Sequence, residues 1–176
     1  MNLASEAPTQ QSNEALDRLV DYLASLEVEA PIVDYPVHRT VDEGKRLRGT
    51  MVGTFTKNLL LRDRKRRLFL FSVHEDRVLN LKTLHTHVGG SRQMSFASPE
   101  QMIAVLGVAP GAMTPMALMN DVEEQVTFVL DETLMGAEQI NFHPMVQDKS
   151  IGLRPEQLLS FLDACNHQPV LLSQDV

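Results

Sequence analysis

The chain has 176 residues, of which 43% are hydrophobic and 22% charged, and its net charge is −7. This length and composition suit one ordinary globular domain with its own core. The acidic balance argues against a generic nucleic-acid coat, and no apolar run approaches the ~20 residues of a membrane span.

The opening "MNLASEAPTQQSNEA" has neither a basic start nor an apolar stretch, so it does not read as a secretory signal. Its composition predicts a disordered lead-in over residues 1–12, followed by one domain over 13–176. "SNEALDRLVDYLASLE" keeps a 3.6-residue apolar period through Leu16, Leu19, Val20, Leu23 and Leu26, which predicts a helix capped by Ser12 or Asn13. "APIVDYPV" predicts a short edge strand, because Pro31 and Pro36 cannot donate to a ladder. "TVDEGKRLRG" predicts a helix capped by Thr40, with Asp42 and Glu43 in its first turn and Gly49 at its end.

"TFTKNLLLRD" and "RLFLFSV" predict two strands of a hairpin joined by a charged turn. The second is apolar on both faces and should be central. In the first, Lys57 shares a face with Phe55, Leu59 and Leu61. Two readings are open at this point: its stem packs while its head reaches water, or its head waits in a pocket for an anion. "NLKTLHTHVGG" predicts a short helix. His85 and His87, two residues apart, would point in different directions and make a poor metal pair. "RQMSFA" predicts a strand. "SPEQMIAVLG" predicts a helix with Ser98 as cap, Pro99 at its first position and Gly107 at its end.

"GVAPGAMTPMALMND" predicts a long connection whose glycines allow close backbone approach to a ligand. "EQVTFVLDE" and "EQINFHPM" predict strands, with His143 at the end of the second. "RPEQLLSFLDACNH" predicts the closing helix, with Cys165 as a buried structural thiol, and "PVLLS" a last strand. One cysteine excludes an internal disulfide framework and a cysteine-rich zinc site, and suits a reducing cytoplasm. The irregular alternation around a hairpin predicts an α+β fold with a mixed sheet.

Charge is unevenly spread. Residues 45–67 hold nine of the sixteen basic residues and one acid, Asp63. A basic stretch on an acidic chain can take a phosphate backbone at one place. No dinucleotide fingerprint, P-loop, zinc-protease motif or nucleophile elbow is present.

Read in order, "TVDEGKRLRG", "GTFTKNLLLRDRKRRLFLFS", "MSFASPEQM", "LGVAPGAMTPMALMND" and "NFHP" resemble the YbaK/prolyl-tRNA-synthetase-associated editing-domain family. The likeness runs over residues 15–172 and is nearest to the free-standing ProXp-ala (PrdX) subgroup. It implies a mixed, partly barrel-like sheet with flanking helices. It also implies a trans-editing deacylase that hydrolyses the ester of mischarged proline tRNA, with alanine as the first substrate.

On this resemblance Lys57, Gly107, Gly111 and Ala112 form the catalytic set: Lys57 anchors the terminal nucleotide and the three backbone N–H groups hold the oxyanion. Asn58, His38, Thr114, Pro115, His143 and Gln147 bind the substrate. Lys45, Arg46, Arg48, Arg64, Lys65, Arg66 and Arg67 hold the tRNA. Prolyl-tRNA synthetase is a further partner; no cofactor, metal or membrane is implied. The family commonly continues "HP" with an Asn-Thr-x-Thr run, whereas here it is "HPMVQDKS". That departure motivates the alternative of an inactive tRNA-binding module of the same fold.

Overall fold

The computed structural model describes residues 10–175. Helix α1 (Gln10–Ser25) therefore begins before the expected caps Ser12 and Asn13, and residues 10–12 are helix rather than lead-in. The rest of that expected lead-in lies outside the described residues.

The remaining helices are α2 (Val41–Leu47), α3 (Pro99–Leu106) and α4 (Pro155–Ala164). The strands are β1 (Ile32–Asp34), β2 (Thr54–Arg62), β3 (Leu68–His74), β4 (Ser95–Phe96), β5 (Val126–Asp131), β6 (Ile140–Phe142), β7 (Lys149–Leu153) and β8 (Val170–Leu172). Helix caps follow the residue chemistry. Thr40 accepts from the Glu43 N–H at the start of α2. Ser98 and Gln101 exchange both bonds of a capping box at α3, and Gly107 ends that helix with φ +66°.

The eight strands form one mixed sheet in the order β1-β7-β6-β2-β3-β5-β8, with β4 also paired to β2. β2–β6, β3–β5 and β5–β8 are parallel, and the other pairs are antiparallel. β1 lies at one edge, as its prolines require, and β3 is central and buried from Leu68 through Val73. Its alternation splits the core into two layers. Leu68 and Leu70 join the larger cluster, which includes Leu19, Leu106 and Phe161 from α1, α3 and α4. Phe69, Phe71 and Val73 join the smaller one, with Leu84, Met94 and Leu172.

One feature of the sheet positions the site. On the side away from β3, β2 pairs with β6 only at Thr54 and Phe55, and with β4 only at Leu61 and Arg62. Ala97 extends the second contact by donating to the Leu60 carbonyl at 2.9 Å. Between these contacts, residues 56–59 face an opening in the sheet.

Candidate active site

A cavity of about 220 Å³ occupies that opening, lined among others by Tyr35, His38, Phe55, Lys57, Asn58, Glu75, Gly111 and His143. Because it lies at the strand's edge, it meets both Lys57 and Asn58 although their side chains alternate across β2.

Lys57 sits directly across from Val73, half-buried. Its ammonium makes no hydrogen bond or ion pair among the described residues. Burial pulls its pKa below the usual lysine value, and the carboxylates of Asp76 and Glu75 partly offset that. Asn58 is fixed by its neighbours: its carbonyl oxygen accepts from the Ser72 hydroxyl, and its amide donates to Thr56 Oγ1. Thr56 Oγ1 in turn donates to the Asn141 carbonyl at 2.8 Å.

The opposite wall is aromatic. Tyr35 stacks on His143 at 6.2 Å and lies 4.5 Å from the His38 ring. His143 Nδ1 is 3.0 Å from the Lys149 carbonyl, which can only accept, so Nδ1 carries the proton of the neutral ring. Burial lowers the His143 pKa below 6.5, so the neutral form prevails at neutral pH. Gly44 of α2 is required here. A Cβ on it would stand 2.7 Å from the Tyr35 hydroxyl and 2.8 Å from His38 Nε2.

Ala109–Ala112 form a turn closed by a 3.1 Å bond from the Ala112 N–H to the Ala109 carbonyl. Pro110 occupies its second position and Gly111, with φ +93°, its third, which is the type II pattern. The Gly111 N–H has no hydrogen-bond partner among the described residues. The other two expected oxyanion donors are engaged: Ala112 closes the turn, and Gly107 donates to Ile103 as the cap of α3. Neither lines this cavity.

The expected substrate-binding residues divide likewise. His38, Asn58 and His143 line the cavity. Thr114 is fully buried and accepts from the Met116 N–H, starting the short 3-10 helix Pro115–Asn120 with Pro115 buried inside it. Gln147 is exposed and donates to the Pro110 carbonyl at 3.1 Å, bracing the turn from outside. These three act on the loop rather than in the cavity.

The basic stretch is also divided. Lys45 pairs with Asp76; Arg48 pairs with Glu75 at 2.7 Å and covers the Phe55 ring at 4.2 Å. Arg67 is held by buried Asp63, which also accepts from the Ser91 N–H. These three cations are neutralised by acids of the chain itself. Arg46, Arg64, Lys65 and Arg66 are exposed and carry no acidic partner among the described residues. Arg64 and Arg66 line an open groove with Arg62 and Arg92, beside β4 on the same edge of β2 as the cavity.

Sequence reasoning missed Glu75, Tyr35 and Asn141 in the cavity wall. Glu75 had a signal: a hairpin turning about Lys65 places it opposite Phe55, where its N–H donates to the Phe55 carbonyl at 3.1 Å. Among the described residues no cluster of three or more His, Cys, Asp or Glu side chains forms a metal site, and no helix is long and apolar enough to cross a membrane.

The aminoacyl-tRNA editing domain family matches residues 36–161, a span that contains every cavity residue named above except Tyr35. The chain belongs to this family. The editing domain is 38% identical over 159 residues to prolyl-tRNA synthetase associated domain-containing protein 1 of Danio rerio, covering 89% of this chain and 86% of that one. It is 28% identical to the prolyl-tRNA editing protein ProX of Acetoanaerobium sticklandii, covering 86% and 92%. In fold, it resembles the crystal structure of a candidate trans-editing enzyme for prolyl tRNA synthetase, with a TM-score of 0.65 and 23% identity, covering 88% and 94%. The mixed eight-stranded sheet with flanking helices is the fold of this neighbour.

Proposed function

We propose that this editing domain is a trans-editing deacylase that removes a small amino acid, alanine first, from mischarged proline tRNA. The observation that carries the reading is the unpaired Lys57 ammonium on the wall of a small cavity at the opening of the sheet. An ammonium kept from its own acids' hydrogen bonds is available to an external anion, and the terminal nucleotide supplies a phosphate. The cavity, at about 220 Å³, is smaller than the ~300 Å³ at which typical ligand pockets begin, so it suits an aminoacyl group rather than a whole nucleotide. The names of the relatives, a prolyl-tRNA editing protein and proteins associated with prolyl-tRNA synthetase, support tRNA as substrate and the synthetase as a partner.

The chemistry needs no protein nucleophile, because an aminoacyl ester is already activated. Water adds to the ester carbonyl carbon. The carbonyl oxygen takes the negative charge, and the Gly111 N–H is the oxyanion donor in this reading. The bond to the ribose oxygen then breaks, that oxygen takes up the proton the water gives up, and the amino acid leaves as its acid. The substrate's own 2′-hydroxyl orients the water. Asn58, His38 and His143 shape the space for the side chain. Within the basic stretch, exposed Arg46, Arg64, Lys65 and Arg66 are the cations left for the tRNA backbone, and Arg62 and Arg92 share the groove of Arg64 and Arg66.

The test is hydrolysis of alanyl-, cysteinyl-, seryl- and threonyl-proline-tRNA by the wild type and by Lys57→Ala. Release that depends on Lys57 supports the reading and names the amino acid. Undiminished release by the variant removes Lys57 from the mechanism. Binding of the tRNA with no release from any substrate favours the inactive module.

A further inference from the structure

The cavity wall presents charges of both signs. Glu75, the first residue past β3, donates its N–H to the Phe55 carbonyl, two residues along β2 from Lys57, and both side chains line the cavity. Glu75 is nearly buried, with 11% of its side chain exposed. Arg48 donates to its Oε1 at 2.7 Å and holds the carboxylate in place. Its second oxygen, Oε2, has no hydrogen-bond partner among the described residues. Asp76, the neighbouring acid, is taken up by Lys45 and is largely exposed. Glu75 is thus the carboxylate that lines the cavity, with one oxygen left open.

We infer that Glu75 receives the α-ammonium of the aminoacyl group, so that the site selects esters of free α-amino acids over the same esters without the amine. The inference rests on the deacylase reading for its ligand class. An aminoacyl nucleotide carries an anion in its phosphates and a cation at its α-carbon, and Lys57 and Glu75 meet one each. The Arg48 contact matters to this role. It fixes the carboxylate's rotamer before the ligand arrives, and it leaves a single oxygen for the incoming ammonium, which needs a short, charge-assisted bond.

The test uses two analogues of the charged 3′ end in which an amide replaces the ester, so neither is hydrolysed. One carries alanine and the other carries propionate, which lacks the amine. Affinities are measured by calorimetry at about pH 7, where an α-amino group is mostly protonated. The wild type is expected to bind the alanyl analogue roughly tenfold or more tightly than the propionyl one, the value of one charge-assisted hydrogen bond. Glu75→Gln keeps an oxygen for Arg48 but turns a donor toward the cavity. It should bind both analogues alike, with a far-UV circular dichroism spectrum like the wild type's as the control for folding. Glu75→Asp should retain part of the preference. Equal binding of the two analogues by the wild type, or a preference that survives Glu75→Gln, overturns the inference. Deacylation by the wild type alongside equal binding would leave the proposed function standing and remove only this role. A Glu75-dependent preference without any deacylation would do the reverse.

Discussion

Lys57→Met separates the two readings of the lysine. Lys57 is half-buried, faces Val73 across the ladder and has no hydrogen-bonded partner among the described residues. Burial disfavours its charge, and Asp76 and Glu75 offset that only at a distance. Methionine keeps the length and apolar stem and discards the ammonium. No internal hydrogen bond is lost, so the change in stability should lie within about 1 kcal/mol and on the favourable side. For a domain of this size that is a Tm raised by roughly 0–4 °C. On the proposed reading of Lys57 as the phosphate anchor, the substrate loses a charge-assisted contact worth about 1.5–3 kcal/mol. That predicts a fall in kcat/KM for alanyl-proline-tRNA of roughly 10–150-fold. Thermal melts and steady-state deacylation read the two effects separately. A variant that melts several degrees lower while deacylating normally would show that the lysine is a structural, snorkelling residue, and the argument for an anion site would fall with it.

The other predictions concern the same cavity and its surroundings. The His143 ring should titrate below 6.5 by NMR, because burial disfavours the imidazolium. Its neutral form then adds stability that is fully present above about pH 6.5 and erodes as pH falls toward the folded-state pKa; a midpoint at or above 6.5 contradicts this. Gly111→Ala places a side chain at φ +93° and 3.2 Å from Gln147, and should cost about 1–2 kcal/mol while lowering kcat more than Tm. Arg66 and Arg92 sit in the left-handed region at φ +68° and +57° and line the arginine groove. The Arg66→Gly, Arg92→Gly pair should therefore melt no lower than wild type. If these arginines meet phosphates, it should also bind proline tRNA more weakly, with a salt dependence reduced by about two counterions; an unchanged slope would remove the groove from tRNA binding.

Much of the fold could be read directly, for local reasons. The α3 boundaries follow from Ser98, Pro99 and Gly107, whose chemistry acts within a few residues. The β2–β3 hairpin follows from its turn. β7 was missed because its alternation is hidden: Lys149 opens it and Gly152 interrupts it, although residues 150–153 are all buried. A Cβ at Gly152 would collide with the Gln139 side chain, which comes from a separate segment. "RQMSFA" shortened to Ser95–Phe96, since β2 offers a partner over two residues only. The expected helix near His85 is a 3-10 turn, Leu84–His87. Cys165 caps α4 half-buried, near the Tyr22 hydroxyl.

The site was legible in parts for the same reason. Lys57, Asn58, His38, His143 and Gly111 converge. Gly107 and Ala112 looked alike in sequence, but which N–H is left open depends on the helix cap and the turn closure. Linear charge counting overstated the basic patch, because Asp76, Glu75 and Asp63 reach Lys45, Arg48 and Arg67 only after folding.

The most direct test of the account is the rate at which wild-type protein releases alanine from alanyl-proline-tRNA, set against the spontaneous rate in buffer. The account predicts release far above the spontaneous rate. A rate equal to buffer, with the tRNA nonetheless bound, would contradict it and identify the chain as a binding module of the editing fold.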